Sequence, residues 1–245
     1  MKLKLLITLG AMLLTLSVHA EDEWQFVVSP YLWLAGQSGD VATLPGAQPA
    51  EIDIEFEDIV ENLDMTFMGL FEARKGNLVL FSEIFYIDIE TDKADTPRQL
   101  FSDTQYEQQM AGLTLGGGYR WNHENTSIDF IGGVRYWEVD NELRLDAGLL
   151  PAEDTRQREH WIDPILGVKS KWVLSDPWSI TAWLVSTVSG DSDSALDLFA
   201  SVNYLLNKDL SLSANYKHQT VDYDKDGFLY DVEISGPLIG VSFIF

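Results

Sequence analysis

The chain has 245 residues and no cysteine, and its 16 Lys and Arg stand against 39 Asp and Glu, a formal net charge of −23. Such acidity argues against nucleic acid as a partner, since phosphate neutralisation needs Lys and Arg, and the missing thiols exclude a disulfide framework. Aromatics make up 12% of the residues, 8 of them Trp, yet overall hydropathy is near neutral, which suits strands whose alternation dilutes the apolar signal.

The chain begins Met1-Lys2-Leu3-Lys4, continues as an apolar run from Leu5 to Leu16, and reaches Val18-His19-Ala20 before Glu21. This basic, apolar and small-residue succession predicts a secretory signal peptide over 1–20, cleaved after Ala20. The apolar run is shorter than the roughly 20 residues a spanning helix needs. Cleavage would take Lys2 and Lys4 from the 16 basic residues, leaving 14 against 39 acids and a net charge of −25. Residues 21–245 then form one barrel-sized domain.

Ten strands are expected in an antiparallel up-and-down barrel, with eight and twelve as alternatives. The first runs from about Trp24 to Gly36, with Trp24, Phe26, Val28, Leu32 and Leu34 on one face and Gln25, Ser29, Tyr31 and Trp33 on the other. Gln37 to Ala50 reads as a long loop. Glu51 to Glu57 alternates acid with apolar residues, as an extension above a membrane would, and Phe56, Ile59, Val60 and Leu63 have the spacing of a short amphipathic helix.

Met65 to Arg74 and Leu78 to Glu90 follow as strands joined through Gly76-Asn77, with Gly at the first position of a type II′ turn. That register pairs Arg74 with Val79, Glu72 with Phe81 and Leu70 with Glu83. Phe67 and Phe71 then face lipid, and Glu72, Arg74 and Glu83 point inward, because charge on the lipid face is costly. The next pair turns near Trp121–Asn125, with Arg120, Asp129, Arg135 and Trp137 inward. The sixth strand puts Ile162, Leu166, Val168 and Trp172 outward, against Trp161, Asp163, Lys169 and Lys171. Ser175-Asp176-Pro177 and Asn207-Lys208-Asp209 are further tight turns.

In the last strand the apolar residues change parity, from Phe228, Tyr230, Val232 and Ile234 to Ile239, Val241, Phe243 and Phe245. A β-bulge at Gly236-Pro237 would keep them all on one face. Two aromatic girdles are expected, one with Trp24, Tyr119, Trp172, Trp178, Tyr204 and Phe245, the other with Tyr86, Tyr136 and Tyr230.

Several stretches carry a family resemblance: Phe71-Glu72-Ala73-Arg74-Lys75-Gly76, Gly133-Val134-Arg135-Tyr136-Trp137, Asp163-Pro164-Ile165-Leu166-Gly167-Val168, and Asp222-Tyr223-Asp224 through Gly236-Pro237-Leu238. As a set they resemble small proteobacterial outer-membrane β-barrels described as OmpW/OmpA-like, porin-type proteins. The resemblance implies the compartment and fold, and no established activity. It also implies lipid and lipopolysaccharide as partners, and the barrel assembly machinery as a reader of the closing strand with its terminal Phe245. Relatives carry an inward Arg and Asp on the seventh strand, where this chain has Trp183 and Val185, so a charge relay through that wall is weakened.

Asp222-Tyr223-Asp224-Lys225-Asp226-Gly227, with Glu233 beyond, satisfies the EF-hand calcium pattern. Its flanks alternate with period 2 instead of forming helices, so Asp222, Asp224 and Asp226 read as an acidic hairpin with at most a weak affinity for calcium. No cofactor, metal or catalytic residue is assigned; a loose pairing of His160 with Asp163 is the nearest approach to a protease, and no Ser-His-acid grouping occurs at strand spacing. The lumen candidates are Glu72, Arg74, Glu83, Arg120, Arg135, Asp163, Lys169, Lys171 and Trp183. They either line a narrow passage or pair and plug it, and glycines at 112, 116, 118, 133, 167 and 240 leave room for Trp183, Tyr31 and Trp33 to fill the bore. The expected function is a structural or porin-like outer-membrane protein; display of acidic outer loops for adhesion, and an outer-membrane enzyme, are the alternatives.

Overall fold

The computed structural model describes residues 23–42, 49–54, 63–91 and 101–245. The expected signal peptide with its cleavage after Ala20 lies outside the described residues, as do Phe56, Ile59 and Val60 of the expected helix. Twelve strands form one antiparallel sheet: β1 (Gln25–Trp33), β2 (Gly36–Ala42), β3 (Ala50–Ile54), β4 (Leu63–Lys75), β5 (Leu78–Thr91), β6 (Phe101–His123), β7 (Thr126–Ala147), β8 (Glu153–Ser175), β9 (Trp178–Thr187), β10 (Ser194–Asn207), β11 (Leu210–Lys225) and β12 (Phe228–Ile244). Pairing of β1 with β12 closes the sheet into a barrel.

Those twelve strands make ten walls. β1 and β2 pair with β12 in one unbroken register, from Val27 opposite Ile244, through Trp33 opposite Leu238 and Gly36 opposite Ser235, to Ala42 opposite Leu229. The interruption at Leu34 and Ala35 falls beside Pro237: the Leu34 N–H donates to the Pro237 carbonyl at 2.9 Å, and proline has no N–H to return. The expected loop from Gln37 is therefore strand as far as Ala42. Its small and polar residues conceal this, but the strand needs them, since a Cβ on Gly39, at φ +141°, would stand 2.1 Å from the Asp231 carbonyl oxygen.

The second wall is split in the same manner. β4 pairs with β1 and β3 with β2, and the two registers differ by eight residues, the length of the 55–62 stretch between them. The alternating segment from Glu51 is thus strand as far as Ile54 and extends the second wall above β4, beside β2.

At one end the turns have two residues each: Gly76-Asn77, Glu124-Asn125, Asp176-Pro177 and Lys208-Asp209. Gly76 has φ +56° while Asn77 is not left-handed, as a type II′ turn requires. The predicted register of Arg74 on Val79, Glu72 on Phe81 and Leu70 on Glu83 is observed. At the other end β6, β7 and β8 have 23, 22 and 23 residues. At roughly 3.3 Å per residue a strand of that size is about 75 Å long, and spanning a bilayer takes only about 9–11 residues. Half of this three-stranded wall therefore stands beyond any membrane.

Period-2 alternation places Phe67, Leu80, Ile84, Leu115, Tyr119, Phe130, Leu166, Leu184, Val202, Ile239 and Phe243 on the outside, exposed, in an apolar belt. Trp24, Trp172, Trp178 and Tyr204 mark its short-turn edge. On the other edge the Tyr136 hydroxyl donates to Glu138 at 2.7 Å and that of Tyr86 to Asp88 at 3.2 Å, the belt giving way to acid two residues on. A belt of this height with aromatic edges is what a lipid-facing barrel wall requires.

β12 corrects the sequence expectation. Its register with β11 runs from Leu210 opposite Phe243 to Lys225 opposite Phe228 without a shift, so Gly236-Pro237 holds no bulge. Even-numbered residues face inward throughout. Phe228, Tyr230, Val232, Ile234 and Leu238 are buried, while Ile239, Phe243 and Phe245 are exposed. What changes along the strand is the solvent, not the phase. Beside lipid the apolar residues point out; beyond it the outside is water and they point in. Tyr230, expected in a girdle, is wholly buried for that reason.

Candidate functional site

The interior has three tiers. The outermost is an apolar plug: Trp33, Phe85, Trp137, Trp161, Val221, Tyr223, Phe228, Tyr230, Val232 and Ile234 belong to one buried cluster. Trp161 stacks on Tyr223 at 4.3 Å and on Trp137 at 5.9 Å, and Phe85 meets Trp137 edge-on at 5.6 Å. Phe85 fits because Gly112 lies across from it, where a Cβ would come within 2.1 Å of the ring; Phe81 lies against Gly116 similarly, at 2.4 Å. The space at Gly112 and Gly116, expected to go to Trp183, Tyr31 and Trp33, is thus filled by Phe85 and Phe81.

Below the plug lies a buried ionic belt of Glu83, Arg135, Asp197 and Lys217, with opposite charges in equal number. The Lys217 ammonium donates to Glu83 at 2.8 Å and stands 3.3 Å from Asp197. Arg135 donates to Asp197 at 3.0 Å and to Thr114 Oγ1 at 2.9 Å. The Tyr31 hydroxyl donates to Glu83 at 2.8 Å and the Trp183 indole to Asp197 at 2.8 Å. Trp33 lies 5.1 Å from the Lys217 nitrogen and Trp137 5.7 Å from the Arg135 guanidinium, so the plug rests on the belt through cation–π contacts.

The third tier, toward the short turns, is a cavity of about 240 Å³. Its charged lining brings together Glu72, Arg74, Arg120, Lys169 and Lys171, with Glu83 and Lys217 above. Glu72 accepts from Arg74, from Lys169 across the lumen, and from Arg120 at 3.3 Å. Arg120 also forks onto Asp129, with both contacts at 2.6 Å. Ser29, Ser201, Ser213, Ser242, Asn203 and Asn215 supply neutral polar lining. A smaller cavity of about 40 Å³ lies beside it, between Phe81, Arg135 and Val185.

Of the nine lumen candidates, eight border one of these cavities. Asp163 borders neither. Its carboxylate accepts the N–H groups of Asp191 and Ser192, at 3.1 and 2.9 Å, and the Ser192 hydroxyl at 2.7 Å, so it ties down the outer segment between β9 and β10. Gly190 packs on it, at φ +150°, where a Cβ would lie 2.6 Å from its Oδ1. Trp183 stacks on Phe199 at 3.6 Å. Sequence reasoning missed Asp197 and Lys217. Both sit in the inward phase of strands whose other parity is apolar, Leu198–Ala200–Val202 and Leu212–Ala214–Tyr216, and that alternation was the available signal.

Other motifs are not assembled as chemistry. His160 is exposed on the outer face and Asp163 is buried inside, so strand alternation separates the pair considered for a protease. Asp226 and Gly227, at φ +53° and +85°, form a two-residue turn between Lys225 and Phe228, a hairpin in place of a calcium loop. Among the described residues no group of three or more His, Asp or Glu side chains is placed to hold a metal ion.

These features define a ten-stranded β-barrel of the outer-membrane type. No family model and no curated protein matches the sequence. Solved structures do. The outer-membrane protease OmpT of Escherichia coli is similar with a TM-score of 0.62 at 8% identity, over 94% of this chain and 99% of that one. The translocator domain of the autotransporter NalP of Neisseria meningitidis aligns with a TM-score of 0.45 at 12% identity, over 99% and 94%. At such identity the likeness to OmpT is one of fold.

Proposed function

We propose that this protein resides in the outer membrane as a structural or porin-like barrel without catalytic activity, whose lumen is closed on the outer side and hollow toward the periplasm. The observation that carries this reading is the plug: Trp137, Phe228 and Tyr230 are wholly buried and Trp161 is 2% exposed, inside a closed wall. An aqueous path would have to pass this core and then the ionic belt beneath it, whose charges are spent on one another. The proposal includes kinship with OmpW/OmpA-like porin-type proteins, contact of the outer apolar belt with outer-membrane lipid and lipopolysaccharide, and recognition of the closing strand by the barrel assembly machinery. The separation of His160 from Asp163 supports a non-enzymatic role.

Single-channel recording in planar bilayers tests it. The wild type is expected to stay closed, while Trp137→Ala combined with Trp161→Ala, which removes two stacked indoles, is expected to produce steady openings. Sustained wild-type conductance, unchanged by that double substitution, would remove the plug from the account.

A further inference from the structure

The net charge of −23 conceals a cavity of the opposite sign. Six cations point into the lower lumen and the belt, Arg74, Arg120, Arg135, Lys169, Lys171 and Lys217, against four carboxylates, Glu72, Glu83, Asp129 and Asp197. Arg135 and Lys217 are matched within the belt by Glu83 and Asp197. The excess of two positive charges therefore falls on the cavity, where Glu72 alone receives Arg74, Lys169 and a branch of Arg120. Glu23, just before β1, is not part of the lining.

Lys171 is the side chain this arithmetic leaves over. It lines the cavity, is half-buried, and makes no ion pair among the described residues. The charges acting on it are the like charges of Arg74, Lys169 and Arg120, with Glu72 the opposing one. Holding an ammonium among three cations inside a barrel is unfavourable, and an anion that joins them relieves the repulsion. The neutral lining suits such a guest: the Ser213 hydroxyl accepts from Asn215 at 3.1 Å, and one of the paired Ser29 and Ser242 hydroxyls accepts from the other at 2.8 Å, so each accepting hydroxyl keeps its own proton to donate to the guest's remaining oxygens. At about 240 Å³ the space is smaller than the ~300–1,000 Å³ of ordinary ligand pockets, which limits the guest to a compact molecule.

We propose that the lower lumen is a binding site for a small oxyanion of the phosphate class, entering from the short-turn side, with Lys171 as its principal charge partner and Arg74 and Lys169 beside it. The site captures rather than conducts, because the belt and plug close its far side. Free phosphate and the phosphate of a lipid headgroup share this chemistry. The cavity's size favours the free ion or a small monoester.

The test is calorimetric titration of the full-length barrel in uncharged detergent, with inorganic phosphate, glycerol 3-phosphate and a short-chain phosphatidic acid as probes. Wild type is expected to bind the first two saturably and the lipid at least tenfold more weakly; a preference for the lipid would overturn the assignment to a free oxyanion. Lys171→Gln should weaken phosphate binding by tenfold or more, Lys171→Met should do the same while keeping the aliphatic stem, and Lys171→Arg should restore most of it. Lys208→Gln, in an exposed turn, is the control for non-specific attraction and should bind as wild type does. Absence of saturable phosphate binding, or equal binding by the wild type and both neutral variants, would overturn the site.

Discussion

Lys217 concentrates the energetics of the lumen in one side chain. It is 1% exposed, and its ammonium bridges Glu83 on β5 and Asp197 on β10. Removing one partner of a buried ionic group leaves the other charge uncompensated, at a cost of roughly 3–5 kcal/mol. Lys217→Met should therefore destabilise the barrel by about that amount, read as the midpoint of urea unfolding in lipid vesicles. Adding Glu83→Gln removes the orphaned charge and should recover part of the loss. If the double variant were less stable than Lys217→Met alone, the belt would not be held by this pairing. Half of this site is legible in the sequence. Alternation assigns Lys217 to the inner face, as it does Glu72, Arg74 and Lys169. Its partner is not legible, because Glu83 lies 134 residues away and meets it across the lumen. Period 2 specifies which way a side chain points, whereas barrel closure specifies what it meets.

At the scale of the element, the lesson is in β12. A change of parity in its apolar residues was expected to mark a bulge, on the assumption that apolar side chains always share a face. The strand keeps its phase because two solvents act on it: lipid draws Ile239 and Phe243 outward, and water beyond the membrane drives Tyr230 and Val232 inward. The loop expected from Gln37 failed for a related reason. Glycine-rich, polar β2 reads as a loop when taken alone, yet its pairing with β12 carries it to Ala42. The turn at Gly76-Asn77 was legible because it is local chemistry, whereas the one expected over Trp121–Asn125 closes at Glu124-Asn125, with Trp121 to His123 paired in β6. As the chain has no cysteine, single-cysteine labelling can check β12 on a clean background. Ser235→Cys should react with an aqueous maleimide in intact vesicles and Ile234→Cys should not. The bulge would reverse this order, so preferential labelling at 234 would reinstate it.

Over the whole molecule, charge is sorted by location: cations lie in excess within the lower lumen and acids crowd the outer end. At the β11–β12 tip, Asp222 faces Asp231, Asp193 and Asp224, and partial burial together with these like charges holds its carboxyl above the ordinary value. A raised carboxyl pKa means that the fold disfavours the charged form. The resulting penalty is full above the folded pKa, is relieved as pH falls through it, and is gone below the unfolded value. Asp191 behaves oppositely. Its contact with Lys225 at 2.6 Å lowers its pKa, so its stabilisation is present above the ordinary carboxylate range and is lost as pH falls through the lowered folded value. Hydrogen exchange at the β11–β12 tip at pH 7 should therefore slow in Asp222→Asn and quicken in Lys225→Gln. The Asp222→Asn effect should amount to less than about 1 kcal/mol at this solvated site. It should shrink as salt shortens the screening distance, which is about 8 Å at 0.15 M, and disappear near pH 3, where Asp222 is protonated in both the folded and unfolded states. An Asp222→Asn effect of equal size at both pH values would mean that packing, not charge, sets the stability of this tip. The opposite signs at neutral pH matter because both residues lie on one hairpin: a general loosening of the outer end would move both variants in the same direction, and only sorted charge moves them apart.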